Sequence, residues 1–350
     1  MATLLDEHKQ RRLKRITQSI IGLPTLPTVI TQLMTLIDSP KTSGRQVAQL
    51  ISTDQALTAK ILKLANSSFY GFPREISTVQ HAVVILGFET VKSLGLSVSV
   101  LQRFSGPSDN TYFDRQGFWE HSIACGVSAR LLAGKLRYRL PGEAFAAGIL
   151  HDVGKLILNQ YFPTEFAQVI ERMRAEDLYI GKAEELVLGL THSDVGSWLA
   201  EKWNLPGQLV DAIGYHHAPG RLTRNAELPA LIHLADFLCR REGIGDGGGT
   251  RMPTLDPAAL QVFGIREEPK AALRRIFTYG EELRREMEKA DAFTRLARGE
   301  TDEDSPPPAE ASSEAGEDPE PDAGPEVAPL LTHALPEPRP ARGRASRLHP

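Results

Sequence analysis

From residue 3 to residue 297, apolar residues recur at the three- and four-residue spacing of a helix, and no stretch sustains the alternation of a half-buried strand. This periodicity confines the chain to an all-α fold. A basic helix is expected over roughly 3–20, ending near Gly22, and the LPTLP segment, Leu23–Pro27, is expected to start the next helix with proline in its first turn. In VAQLISTDQALTAKILKLANSSFYG, Val47, Leu50 and Ile51 make one stripe and Leu57, Ile61, Leu62 and Leu64 another. Two short helices should therefore meet at Thr53 and Asp54, with Asp54 as N-cap and Asn66, Ser67 and Gly71 making the turn that follows. Further helices are expected over about 77–86, 88–104, 115–135, 142–159, 163–175, 182–202, 206–216, 228–241 and 269–297.

Composition matters chiefly at the C-terminal end. Residues 301–350 hold 11 of the chain's 24 prolines, 11 acidic residues and 4 arginines, and no aromatic residue. Such a segment cannot bury enough apolar surface to offset its ordering entropy, so residues 299–350 are expected to be disordered. The formal charge of −4 for 350 residues then leaves the remainder slightly basic. A body so close to neutral disfavours a nucleic-acid partner, the N-terminal basic cluster aside. Two cysteines, Cys125 and Cys239, make no disulfide framework and fit a reducing compartment. With no apolar run of membrane-spanning length and no signal peptide, the expectation is a cytoplasmic protein. The GIGDGGGT run, Gly243–Thr250, reads as a flexible link and not a phosphate loop, because it lacks the Gly-Lys-Ser/Thr ending and follows no strand.

The chemistry-bearing residues are concentrated further along. His121 in FWEHSIACG, His151 and Asp152 in AGILHDVGKL, His192 in LGLTHSDVG, His216 and His217 in IGYHHAP, and Asp236 in LIHLADFL sit in largely apolar helices. Imidazole nitrogen with carboxylate oxygen is a donor mixture accepted by Fe, Mn, Ni or Zn, and an adjacent His-Asp pair can supply a terminal and a bridging ligand to two ions. Each histidine alone is more readily read as a buried hydrogen-bonding group than as a ligand, and His233 in particular is assigned that role over ligation. Asp152 and Asp236, however, would be costly to bury without a cation. Lys155, three residues after Asp152, either neutralises it or binds a phosphate oxygen; the spacing allows both.

HDVGK, with His121 upstream and Asp236 downstream, resembles the HD superfamily of metal-dependent phosphohydrolases. His192 and His216-His217 look like the extra ligands of its HD-GYP branch, which hydrolyses cyclic di-GMP, although the segment after His217 reads APGRLTRNAELPA and lacks the GYP motif. LPTLPTVITQLMTLI, VAQLISTDQALTAKILKLANSSFYG and ISTVQHAVVILGFETVKSL closely resemble the HDOD domain, a relative of HD-GYP regarded as a signalling module without established catalysis. The resemblance covers about 16–240, with a weaker match to 297.

It implies a two-lobed helical HDOD/HD-like domain over 23–241, with an N-terminal lobe about 23–110 and an HD-like lobe about 111–241. Around it lie a basic helix at 1–22, a Gly-rich linker at 242–256, C-terminal helices at 257–298 and the tail. The resemblance implies a bacterial regulatory protein acting through contacts with signalling proteins, with a divalent metal held by His121, His151, Asp152, His192, His216, His217 and Asp236. The alternative is a phosphodiesterase of the cyclic-dinucleotide class, in which Lys155 holds the phosphate. Gly117 stands where some HD-GYP proteins carry a carboxylate, which argues against a third metal.

Overall fold

The computed structural model describes residues 2–37, 42–105, 111–249 and 251–300. The segment 301–350, expected to be disordered, lies outside the described residues. Among the described residues every regular element is helical. The N-terminal set comprises α1 Ala2–Ser19, α2 Thr28–Ile37, α3 Gly44–Ile51, α4 Gln55–Ala65, α5 Val79–Leu86 and α6 Phe88–Arg103. The middle set is α7 Arg115–Leu136, α8 Pro141–Leu150, α9 Val153–Tyr161, α10 Pro163–Ala175, α11 Ile180–Leu188, α12 His192–Lys202, α13 Gly207–Tyr215 and α14 Glu227–Glu242. Four helices follow: α15 Ala258–Gln261, α16 Pro269–Phe277, α17 Gly280–Lys289 and α18 Asp291–Arg298.

The local signals explain most of these boundaries. Asp54 caps α4 by accepting from Leu57 N at 2.9 Å, and Asn66 pins the following turn through two bonds with the Ile76 backbone, at 2.7 and 2.9 Å. The LPTLP segment differs from expectation: α2 begins at Thr28, one residue after Pro27. Leu23–Pro27 instead runs without regular structure and is tied to the middle set, where Trp203 Nε1 donates to Pro24 O at 2.7 Å.

Three expected helices are divided. The 142–159 pattern breaks at His151-Asp152, the 182–202 pattern at Gly189, which takes a left-handed φ of 70°, and the 269–297 pattern at Thr278-Tyr279 and again at Ala290. Apolar periodicity survives such a break because one tight turn shifts the buried stripe little, so the pattern alone does not mark it.

Helix α6 is the spine. Val91 to Leu101 are all buried, as a helix packed on every side requires. It contacts α2, α4, α5, α8 and α18. The basic helix α1 lies against α12, with Lys9 paired to Asp194 at 2.8 Å and Arg12 Nε donating to Leu188 O at 2.7 Å. Two of the N-terminal cations are therefore engaged within the chain. Helices α7 and α8 cross closely: a β-carbon on Gly148 would lie 2.5 Å from the Cα and N of Gly126, so only glycine permits this approach.

Candidate metal centre

The α7–α8 crossing carries His121, on α7, to His151, at the C-terminus of α8, with ring centroids 5.5 Å apart. The chain then turns at Asp152 and enters α9. Here a second close approach acts: a β-carbon on Gly154 would fall 1.9 Å from His192 O, so the starts of α9 and α12 touch backbone to backbone. Thr191 caps α12 in a reciprocal box with Asp194, which fixes His192 at the first helical position. Helix α13 ends at His216 and His217, whose rings are 3.9 Å apart, and α14 presents Asp236.

All seven residues expected at the site come together. His192 Nε2 and His216 Nε2 lie 3.1 and 3.7 Å from Asp152 Oδ1, His151 Nε2 lies 3.2 Å from Asp152 Oδ2, and His121 Nε2 lies 3.0 Å from Asp236 Oδ1. Two donor groups result, one of His121, His151 and Asp236 with Cys125, the other of Asp152, His192, His216 and His217. Within each, the ligand atoms lie within 4.8 Å of one another. His121, His151, Asp152, His192, His216 and Asp236 are each no more than 1% exposed.

The second ring nitrogens decide what these side chains offer. His151 Nδ1 is 2.7 Å from Gly148 O and His216 Nδ1 is 2.8 Å from Ile213 O. A carbonyl can only accept, so both Nδ1 atoms carry hydrogen, and in a neutral ring Nε2 is then a lone pair. Both lone pairs face an Asp152 oxygen, acceptor against acceptor. Consistent with this, His151 Nε2, His216 Nε2, Asp152 Oδ1 and Asp236 Oδ2 are buried without a hydrogen bond of acceptable geometry. Such an arrangement is costly unless a proton or a cation stands between the groups, so the donor set fits a divalent metal of the borderline class. His233 contrasts with them. Its Nδ1 lies 2.6 Å from His216 O and its Nε2 accepts from Asp256 N at 3.0 Å, which leaves no free lone pair.

Without metal, protons and cations do the balancing. Burial, the largest influence on Asp152, opposes its charge, but His151, Lys155 and His192 together hold the carboxyl well below its usual range. Burial likewise opposes charge on Asp236, and Arg240 and His121 outweigh it. Burial disfavours protonation of His192, yet Glu184 and Asp152 raise it to about 9. His151 is raised well above its ordinary value by Asp152 against the same burial. Burial and neighbouring imidazoles push His216 and His217 well down.

Lys155 Nζ meets Asp152 Oδ2 at 2.5 Å and also donates to Gly247 O at 2.8 Å. Four participants have no place in the sequence reading. Glu184 accepts from His192 N at 2.9 Å and lies 2.7 Å from its Nδ1, orienting the ring as an outer carboxylate does around metal-bound histidines. Tyr179 OH lies 2.5 Å from His217 Nε2. Arg240 Nε donates to Asp236 Oδ1 at 2.8 Å. Cys125, fully buried, completes the first donor group. Arg240 and Cys125 follow Asp236 and His121 by four residues, a helical spacing that could have signalled them. Glu184 and Tyr179 carry no local signal.

Comparison with known proteins places this geometry. The model of the HDOD domain family matches residues 23–219. The crystal structure of an HDOD domain protein of unknown function from Geobacter sulfurreducens is 26% identical, with 83% of this chain and 97% of that chain covered and a TM-score of 0.64. That of a candidate signal-transduction protein from Marinobacter aquaeolei VT8 is 24% identical, covers 83% of this chain and 65% of that one, and shares the fold with a TM-score of 0.66. An uncharacterized protein of Treponema pallidum (strain Nichols) is 25% identical over 203 residues, 58% of this chain. The match spans only 39% of that relative's length. With a matched family model over more than half its length and the helical scaffold to go with it, the chain belongs to the HDOD domain family.

Proposed function

We propose that the protein is a regulatory signal-transduction protein of the HDOD type, acting through contacts with signalling proteins. In it His121, His151, Asp152, His192, His216, His217 and Asp236 hold a divalent metal in a structural or sensory role. The observation that carries this reading is the closure of the site: six of the seven donors are no more than 1% exposed, and Lys155 is spent on Asp152 and a main-chain carbonyl. A substrate needs a path to the metal, whereas a structural or sensing ion needs only donors. No helix among the described residues is long and apolar enough to cross a membrane.

A second reading, a metal-dependent phosphohydrolase acting on a cyclic dinucleotide, is favoured by the completeness of the donor set. In that reading the ions would supply Lewis acidity and an ionised water, with Asp152 between the two donor groups and Lys155 turned from Asp152 toward phosphate.

Metal analysis of protein purified without chelator, joined to a cyclic di-GMP turnover assay, separates the two. The regulatory reading expects bound Fe, Mn, Ni or Zn, loss of at least one ion in Asp152→Ala, and no turnover by either protein. Turnover by the wild type that Asp152→Ala abolishes would replace it with the second reading. A wild type that takes up no metal from Fe, Mn, Ni or Zn would remove the second reading and, in the first, leave His121, His151 and Asp152 as a hydrogen-bonded core network.

A further inference from the structure

The glycine-rich run, expected to be a flexible link, is packed onto the donor cluster. It leaves α14 at Gly243 and returns over the first turns of α7, where Asp246 N donates to Gly117 O at 2.7 Å. Gly245, at φ 66°, passes so close that a β-carbon would lie 2.2 Å from His121 N and 2.5 Å from Gly117 O. Asp246 Oδ1 accepts from Gly248 N and Gly249 N at 2.8 and 3.1 Å, which holds the bend. Gly247 is buried, and a β-carbon there would come within 2.9 Å of His121 Cε1. Gly248, at φ 91°, reaches Ile180 on α11. The glycines are needed because no other residue fits these contacts and backbone angles.

One atom of this segment meets two cations. Gly247 O accepts from Lys155 Nζ at 2.8 Å and from Arg240 Nη2 at 2.5 Å, although the two side chains come from α9 and α14. Arg240 Nη1 is buried without a hydrogen-bond partner. Each cation already faces a carboxylate, Asp152 for Lys155 and Asp236 for Arg240, and at their meeting point a tetrahedral oxyanion would replace the neutral carbonyl with a charged oxygen and supply another for Nη1.

We propose that Ile244–Gly249 is a built-in plug of the donor cluster, and that Gly247 O holds the place of an oxygen of a phosphate or phosphoryl group bound between Lys155 and Arg240. Such a ligand enters by displacing the plug. The choice of phosphate as the oxyanion rests on the metal-centre reading above, but the plug does not.

Gly245→Ala wedges the docked segment against the backbone of α7. Gly243→Ala, also at positive φ but with nothing within 4 Å of its β-carbon, imposes similar backbone strain without a wedge. Inorganic phosphate binding by calorimetry and amide exchange over 243–249 are measured on the full chain, both chelator-treated and Mn-loaded. In Gly245→Ala the segment should exchange faster and bind phosphate at least about tenfold more tightly, because the closed fraction no longer reduces apparent affinity. Gly243→Ala should stay within roughly twofold of wild type, and adding Arg240→Gln to Gly245→Ala should abolish the gain.

In the wild type, phosphate should speed exchange of 243–249, a result that needs no variant to fold. A segment freed in Gly245→Ala without tighter phosphate binding, or one that phosphate protects further in the wild type, would overturn the proposal. Metal content of the same samples tests the metal-centre reading separately, since an absence of metal removes that reading and leaves the plug result standing.

Discussion

Among the described residues up to 105 the buried polar side chains are Lys92, Ser93, Ser97 and Ser99, all on α6, in a core otherwise built of residues such as Ile30, Leu33, Val47, Ile61 and Ile76. From residue 111 onward the buried set instead includes His121, His151, Asp152, Glu184, His192 and Asp236. The first region gains stability from removing apolar area from water, and its helices need only complementary shapes. The second buries charges whose desolvation must be offset by partners a few ångströms away, so its helices must meet with much smaller tolerance. The glycine contacts differ accordingly. At Gly95 on α6 a β-carbon would meet only side-chain carbons, the nearest at 3.2 Å, whereas at Gly148 and Gly154 it would strike backbone.

The comparison breaks most sharply at Gly154. Gly154→Ala should force α9 from α12 and cost about 3 kcal/mol or more, read by urea unfolding, because neither backbone can yield as a flexible side chain would. A cost below about 1 kcal/mol would show that the second region tolerates displacement as the first does. Asp152→Ala comes next. In metal-free protein it leaves Lys155 buried without its carboxylate and should destabilise by about 3 kcal/mol, while Asp152→Asn should recover part of that.

Ile61→Ala, in the apolar region, should cost about 2–4 kcal/mol by creating a cavity, yet leave metal stoichiometry at the wild-type value. A change in metal content there would mean that the two regions are coupled more tightly than their contents suggest.

The smallest effect is graded with pH. His192 is raised to about 9 in the metal-free protein, above its unfolded value near 6.5. Its protonation therefore contributes stability that is present below pH 6.5 and lost as pH rises toward 9. A metal must displace that proton, and the proton that Asp152 holds on His151 as well, so affinity should climb by at least about tenfold per pH unit, about 1.4 kcal/mol, between 6.5 and 9. On the acid side, His121, His216, His217 and His233 are all lowered, first by burial, so stability should fall as pH drops below 6.5. Metal titrations at pH 6.5, 7.5 and 8.5 test the first sign, and melts from about pH 5 to about pH 9 test both. A pH-independent metal affinity would exclude His192 as a ligand.

The convergence of the site was legible to the extent that its residues belong to recurring words such as HDVGK, and its supports were legible only in part. Arg240 and Cys125 sit at helical spacing from cluster members, but nothing near Glu184 or Tyr179 marks them, since each meets its histidine only after α11 and the α12–α13 pair have packed. The Gly-rich run misled for a related reason: glycine permits flexibility in an open chain and close backbone approach in a packed one, and composition does not tell the two apart.

By itself, the sequence determined the all-helical class, the cap at Asp54, and which side chains were expensive to bury, because these follow from periodicity and from the chemistry of each residue. Only the tertiary structure decided which ring nitrogen of His151 and His216 is left as a lone pair, which cations stand beside Asp152 and Asp236, and that Gly247 closes the cluster. Those outcomes depend on separations of about 3 Å between helices far apart in the chain, and a local pattern does not encode distances between elements that pack only when the whole core forms.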